Sequence, residues 1–113
     1  MNGEALKGHL DLLLLAAVHA GPPEGAHGYA IIEALRMRSG GTFDLAEGTI
    51  YPALHRLETA GLLRSRWAVA GGRRRRLYAL TEGGRAALAA QERQWTRFSR
   101  SVAAVLSPAG GLA

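Results

Sequence analysis

The length and composition of the chain fit one small domain with an appended element. It has 113 residues, of which 48% are hydrophobic, enough for a core and too many for a disordered chain. It contains no cysteine, which excludes disulfides, thiolate metal sites and a cysteine nucleophile. Its longest apolar run, residues 12–18, is far shorter than the roughly 20 residues of a membrane span and lacks the basic flank of a signal peptide, so we expect a cytoplasmic protein.

The net charge of +5 is concentrated in the second half of the chain. Residues 1–55 carry a net charge of −3, residues 56–85 a net charge of +6 from eight arginines and two glutamates, and residues 86–113 a net charge of +2. Because basic groups that neutralise phosphates release condensed counterions, such a block favours a polyanionic partner. The alternative is that this block is only a solvated surface. All basic residues but one lysine are arginines, so a general preference for arginine in this chain can account for the run.

Three helices are predicted in the first half, after a loose arm at residues 1–8. The first, residues 9–19, is apolar nearly all round and must therefore be covered on several sides. The second spans about residues 27–38 and ends at a pair of glycines. The third spans about residues 46–60, and its buried stripe repeats at helical spacing. That stripe is Ile50, Ala53, Leu54 and Leu57.

The hydrophobic period then changes to two. Residues 63–69 alternate and predict a strand with one solvated face, residues 70–72 supply a turn, and residues 76–80 a returning strand. The predicted elements follow the order of a winged helix-turn-helix: two helices, a short link, a third helix and a hairpin. The expected fold class is therefore mainly α with a small β-hairpin, and we place the DNA-binding domain at residues 1–81.

A last helix is predicted over residues 82–106, capped by Thr81 and followed by a flexible tail at residues 107–113. Mostly apolar residues recur along this helix at an average spacing of 3.5 positions, which is typical of a helix that packs on another helix at a shallow angle. We expect this helix to join a homodimer, and packing on the first helix of the same chain is an alternative that does not exclude it. The dimer stripe is Leu88, Gln91, Trp95, Phe98, Val102 and Val105.

The third helix follows the turn and is therefore the predicted recognition helix, whose first residues meet base edges in the major groove of DNA. Its outward side chains suit hydrogen bonds to phosphate or guanine, apart from the proline, which lacks an N–H and can bend the helix. They are Thr49, Tyr51, Pro52, His55 and Arg56. The alternative is that these side chains only solvate the helix.

Four arginines are expected at the tip of the hairpin. Guanidinium groups there can bind phosphates or enter a narrow minor groove. The run follows a Gly-Gly turn, and a polyanion would relieve its self-repulsion. The four residues are Arg73, Arg74, Arg75 and Arg76.

In its motifs the chain resembles the PadR family of bacterial regulators. The resemblance covers residues 6 to about 106, and the central one of its similar segments, EGTIYPALHRLE, is the most specific. The chain departs from the family pattern at Ala30, where a glutamate is common after Gly-Tyr. The similar segments are residues 7–10, 27–29, 47–58, 61–62, 72–75, 78 and 80–85.

The resemblance implies a function and a partner. The single helix after the hairpin is similar to the shorter PadR subtype, which implies a homodimer on a palindromic operator, usually as a repressor. In some members an aromatic or cationic small molecule binds between the dimer helices beside a tryptophan of the last helix, and the DNA is released. Trp95 lies in a comparable place, fourteen residues after Thr81, so an effector site at Trp95 is implied. The same indole can instead be packed in the core.

Two other classes of function make different predictions. An enzyme is disfavoured because the chain lacks serine-hydrolase, zinc-protease and phosphate-loop motifs, and its four histidines lack metal-ligand spacing. We therefore expect no catalytic residue, cofactor or metal. A winged domain that binds a protein or a structured RNA stays open, and it predicts weak binding to every duplex DNA.

Overall fold

The computed structural model describes residue 6 and residues 8–108 of the chain. In chain order these residues form α1 (Leu10–His19), β1 (Ala26–His27), α2 (Gly28–Arg38), α3 (Glu47–Thr59), β2 (Leu63–Ala70), β3 (Arg73–Leu80) and α4 (Glu82–Leu106). The three strands form an antiparallel sheet in the order β1-β3-β2. The expected fold class, a mainly helical winged helix-turn-helix with a long last helix, is confirmed. The expected loose arm and tail lie largely outside the described residues.

The helices begin and end within one residue of their predicted positions. The hydroxyl of Thr81 accepts the amide hydrogen of Gly84 at 2.9 Å and donates to the carbonyl of Gly61 at 2.6 Å, so it caps α4 as predicted. His27 caps α2, since its Nδ1 accepts the amide hydrogen of Ala30 at 3.2 Å. The expected disturbance at Pro52 does not interrupt α3, which continues to its predicted end.

The hydrophobic core lies between the first three helices and the inner face of the sheet. The predicted stripe of α3 is buried, as are Tyr78 and Leu80 of β3. Among the residues of α4, Leu88 is part of this core. The buried apolar side chains are Leu14, Leu15, Ala17, Val18, Ala26, Ile31, Leu35, Ile50, Ala53, Leu54, Leu57, Leu63, Tyr78, Leu80 and Leu88.

The hairpin of β2 and β3, residues 63–80, is the wing. Gly71 and Gly72 have φ angles of 60° and 77°, the left-handed conformation that a two-residue type I′ turn requires at both positions. Ala70 therefore pairs directly with Arg73, and the strand begins there. The prediction that the four arginines form the tip and that the strand starts at Arg76 was wrong, because pairing with β2 extends β3 to the turn.

The first turn of α4 lies directly against the segment that precedes the wing. A Cβ at Gly84 would overlap the carbonyl of Leu62, so this close approach requires glycine. Beyond Leu88 the helix extends away from the core, and the described residues measure 63 Å along one axis against 28 Å and 22 Å along the others.

Candidate nucleic-acid interface

A groove of about 620 Å³ lies between the wing and the amino-terminal ends of α2 and α3. Its wall combines aromatic rings with all four arginines of β3, and Glu47 is an acidic residue that also lines it. We call it the basic groove. The side chains that give it this character are His27, Tyr51, Trp67, Arg73, Arg74, Arg75 and Arg76. A groove of this composition suits a phosphate backbone that follows a helix N-terminus.

The predicted recognition residues do not all lie in the same surroundings. Thr49, Tyr51, Pro52 and His55 are exposed on α3, as expected for side chains that meet DNA. Arg56 is also exposed, but its guanidinium donates two hydrogen bonds, of 2.7 Å and 3.1 Å, to the carboxylate of Asp11 on α1.

The Arg56–Asp11 pair is accessible to solvent on both sides. The hydrogen bonds and charge of Asp11 raise the pKa of Arg56, so the arginine stays protonated. An exposed pair of this kind is worth about 0–1 kcal/mol, which a phosphate or guanine contact can exceed. Contact of Arg56 with DNA therefore competes with a weak partner within its own chain.

Tyr51 is positioned by a glycine of the neighbouring helix. A Cβ at Gly28 would collide with the phenol ring of Tyr51, so the ring lies directly on the first turn of α2. Tyr51 remains 41% exposed and lines the basic groove. Gly28 therefore fixes the spacing between the two helices that frame the groove.

Arg75 is held by the residue that caps α2. One of its terminal nitrogens lies 2.9 Å from Nε2 and 3.3 Å from Nδ1 of His27. Burial, and then the charge of Arg75, lower the pKa of His27, which favours the neutral ring. Because Nδ1 accepts the hydrogen bond from Ala30, Nε2 of the neutral ring carries the hydrogen, so Arg75 contacts the ring there without donating to Nε2. Arg75 thus joins the wing to the start of α2.

Arg76 and Arg74 surround a tryptophan on the wing. The guanidinium carbons of Arg74 and Arg76 lie 4.5 Å and 5.1 Å from the ring centre of Trp67, which is 53% exposed. Nε of Arg76 also donates a hydrogen bond of 2.8 Å to the hydroxyl of Ser65. The four arginines therefore have different surroundings: Arg73, Arg74 and Arg76 are exposed, whereas Arg75 is half-buried.

Sequence reasoning missed several of these side chains. Asp11, His27 and Glu58 were not assigned a part in the site, and Ser65 and Trp67 were treated only as the alternating face of a strand. The position of Trp67 could have been predicted from the sequence, because a hairpin with a two-residue turn pairs Trp67 with Arg76 across the strands. Glycine pairs in the turn predict that register.

The predicted dimer stripe on α4 is partly covered by its own chain. Leu88 is buried in the core and Gln91 is half-buried, so the alternative of packing within the chain holds for the first part of the helix. Trp95 is 44% exposed and lies edge-on to the ring of His9 at 5.0 Å. Further along, the stripe is more open. Phe98, Val102 and Val105 are 60%, 39% and 85% exposed.

A second groove, of about 660 Å³, runs beside Trp95 between the start of α1 and α4. Its walls include His9, Gln91, Trp95 and Phe98, together with the Asp11–Arg56 pair. We call it the tryptophan groove. It lies on the side of the recognition helix that faces α4.

Two further features of the described residues bear on function. No helix among them is long and apolar enough to cross a membrane. In the same part of the chain, no three residues of the types His, Asp and Glu lie close enough together to hold a metal ion.

The comparison with protein families identifies the class of this protein. A model of the Transcriptional regulator PadR-like family matches residues 14–90, which is more than half of the chain. The protein therefore belongs to the PadR-like family of transcriptional regulators. The resemblance in the sequence motifs is confirmed, and with it the expectation of a regulator and not an enzyme.

Similar proteins include regulators and solved structures. The chain is 47% identical over 60 residues to the transcriptional regulator Rv3488 of Mycobacterium tuberculosis, and the match spans 53% of this chain and 56% of that protein. A PadR family transcriptional regulator from Eggerthella lenta DSM 2243 has a TM-score of 0.77 and 30% identity, covering 93% of this chain and 88% of that one. Bacillus subtilis PadR, solved in complex with operator DNA, has the same fold at a TM-score of 0.63 and 24% identity, covering 73% of this chain and 45% of that one.

Proposed function

We propose that the protein is a homodimeric, sequence-specific DNA-binding repressor that acts on a palindromic operator in the cytoplasm. The observation that carries the proposal is the basic groove, in which the recognition helix and the arginine-bearing strand β3 face one another. Bacillus subtilis PadR, a protein of the same fold, was solved in complex with operator DNA, which supports DNA as the partner.

The two sides of the groove have different tasks in this proposal. Thr49, Tyr51, Pro52 and His55 meet base edges and flanking phosphates in the major groove, while the wing binds the backbone. Arg73 and Arg74 are the arginines best placed for phosphate because both are exposed and lie nearest the turn, whereas Arg76, which is also exposed, donates to Ser65. Arg56, Arg75 and Arg76 each have a partner within the chain, so their contact with DNA requires an exchange of that partner.

The dimer in this proposal forms through the exposed part of the stripe on α4. Trp95, Phe98, Val102 and Val105 follow one another along the helix and leave large apolar side chains in water. Burying a side chain such as Phe98 against a second copy contributes roughly 1.5–3 kcal/mol. A two-fold dimer presents two recognition helices related by symmetry, which is why we propose a palindromic operator.

An effector site at Trp95 is the finer part of the proposal. The tryptophan groove combines the indole with the rings of His9 and Phe98, and aromatic faces favour flat or cationic ligands. Such a ligand controls transcription if it binds better to a dimer geometry in which the two recognition helices no longer match the operator.

A gel shift tests the proposed function. Wild-type protein is titrated against the DNA upstream of its own gene and against a random duplex of equal length, with His55→Ala as the comparison variant. We expect tighter binding to the upstream DNA and a smaller difference for His55→Ala, since removing one base contact costs about 1–3 kcal/mol. Equally weak binding of both duplexes by wild-type protein would favour a winged domain that binds a protein or an RNA.

A further inference from the structure

A chain of polar contacts joins the last turn of α3 to the wing. The hydroxyl of Ser65 donates to Oε2 of Glu58 at 2.6 Å, and Nε of Arg76 donates to the same hydroxyl at 2.8 Å. Nη2 of Arg76 lies 3.8 Å from the Glu58 carboxylate. We propose that this Glu58–Ser65–Arg76 network sets the angle between the wing and the recognition helix, and that Arg76 is a positioning residue for DNA binding and not a phosphate contact. The inference rests on the proposed function of DNA binding.

The register of the hairpin extends the network toward the tip of the wing. Trp67 pairs directly with Arg76, and Ser65 shares its face of the sheet because side chains alternate along a strand. The guanidinium groups of Arg76 and Arg74 both lie within cation–π range of the indole. Arg76 therefore contacts α3 on one side and Trp67 on the other, and Trp67 in turn contacts Arg74.

The surroundings of the carboxylate explain why Arg76 stays in the network. The side chain of Glu58 is only 26% exposed, and moving Arg76 to a phosphate would leave this carboxylate with a hydroxyl partner and without a positive charge. Arg74 and Arg76 are both exposed and both lie over the ring of Trp67, but Arg76 also donates to Ser65 and faces Glu58. The cation–π contact of Arg74 leaves its N–H groups able to donate to phosphate oxygens.

Two substitutions test this proposal, because the network and simple electrostatics predict opposite changes in DNA affinity. Glu58→Gln removes a negative charge near the basic groove, which by electrostatics alone strengthens DNA binding. The network predicts the opposite: Glu58→Gln and Ser65→Ala each bind a labelled random duplex about threefold to tenfold more weakly. The dependence of the binding constant on salt also becomes shallower, although no basic residue has been removed. Fluorescence anisotropy over a range of salt concentrations measures both quantities.

Matched controls separate the network from general effects of charge and folding. Ser65→Thr keeps the hydroxyl and should bind as wild type does. Glu92→Gln removes the same charge from the exposed face of α4, outside both the network and the basic groove, and it should bind as tightly as wild type or more tightly. If Glu58→Gln and Ser65→Ala bind at wild-type affinity or above it with an unchanged salt dependence, the proposal is overturned.

A second readout needs no DNA. In a Trp95→Phe background Trp67 is the remaining tryptophan, and its quenching by acrylamide reports how well the arginines cover the ring. Relative to the Trp95→Phe protein, we expect acrylamide to quench Trp67 more strongly when Ser65→Ala is added and equally when Ser65→Thr is added. Unchanged quenching in Ser65→Ala would overturn the network even if DNA binding had fallen. If wild-type protein binds no duplex, the proposed function fails, while this measurement still decides the network.

Discussion

At the scale of single residues, His27 has two contacts that depend on its protonation state. Its Nδ1 accepts a hydrogen bond from the amide of Ala30, and the guanidinium of Arg75 lies against the same ring. Protonation would remove the acceptor and place two positive charges side by side. Burial and Arg75 accordingly lower the pKa of His27 in the folded protein, which favours the neutral ring.

This lowered pKa predicts how stability depends on pH. Since the unfolded chain binds the proton more readily, the contribution of His27 is complete above its ordinary pKa of about 6.5. It is lost as the pH falls from that value through the lowered pKa of the folded protein. Between pH 7.5 and pH 5.5 we expect wild-type protein to lose more stability to urea than His27→Asn, because asparagine caps a helix without titrating. Equal losses in the two proteins would contradict this role.

Gly28 gives a second prediction at this scale. Replacing a helical glycine by alanine normally stabilises a protein by up to about 1 kcal/mol, but here the added Cβ would collide with Tyr51. We expect Gly28→Ala to lower the free energy of unfolding by about 1–3 kcal/mol, the usual cost of overpacking. In a Tyr51→Ala background the same substitution should be neutral or stabilising. A double-mutant cycle by urea denaturation measures the difference, and additive effects would rule out the collision.

At the scale of elements, the wing and the recognition helix should affect DNA binding in different ways. Arg73 and Arg74 are exposed on β3, so Arg73→Gln with Arg74→Gln should weaken binding to all duplexes alike. The slope of log K against log salt should become shallower by about 0.9 for each phosphate that the wing no longer neutralises. The double variant Arg93→Gln with Arg97→Gln on α4 makes the same change in net charge and should keep the wild-type slope. If the Arg73→Gln, Arg74→Gln variant kept the wild-type slope, these two arginines would be part of a solvated surface and not phosphate contacts.

The helices could be predicted from the sequence because their apolar residues repeat at helical spacing and their ends carry caps or glycines. The amino-terminal half of β3 could not, because a run of four arginines has no alternation of polar and apolar residues. Pairing with β2 makes it a strand, starting at Arg73 opposite Ala70. The two-residue strand β1 has no sequence signal of its own and exists through its pairing with Tyr78 and Leu77.

The candidate site could be predicted in the same partial way. The exposed face of α3 followed from its buried face, since Ile50, Ala53, Leu54 and Leu57 leave the other positions outside. The partners of the arginines did not follow. Arg56 is 45 residues from Asp11, and Arg75 is 48 residues from His27, so these contacts depend on how the elements pack and not on local spacing.

At the scale of the whole molecule, α4 divides into a part that belongs to the domain and a part that extends beyond it. Gly84 and Leu88 hold its first turns against the core, whereas Phe98 and Val105 are mostly exposed. A 3.5-residue repeat indicates that a helix packs on another helix, but it does not indicate whether that second helix belongs to the same chain or to another copy. For this reason the heptad pattern placed Leu88 in the predicted dimer stripe, whereas the structure shows it buried in the core of its own chain.

The exposed part of the stripe leads to the last prediction. Phe98→Asp with Val102→Asp places two carboxylates where we propose that a second copy packs, and a buried charge without a partner is strongly unfavourable. We expect this variant to sediment as a folded monomer and to lose the preference for a palindromic operator, because a single recognition helix reads one half-site. Thr96→Asp with Ser101→Asp adds the same charge to the polar face of the same helix and should remain dimeric. Sedimentation velocity compares the two, and a Phe98→Asp, Val102→Asp protein that still sediments as a dimer would show that the copies associate through another surface.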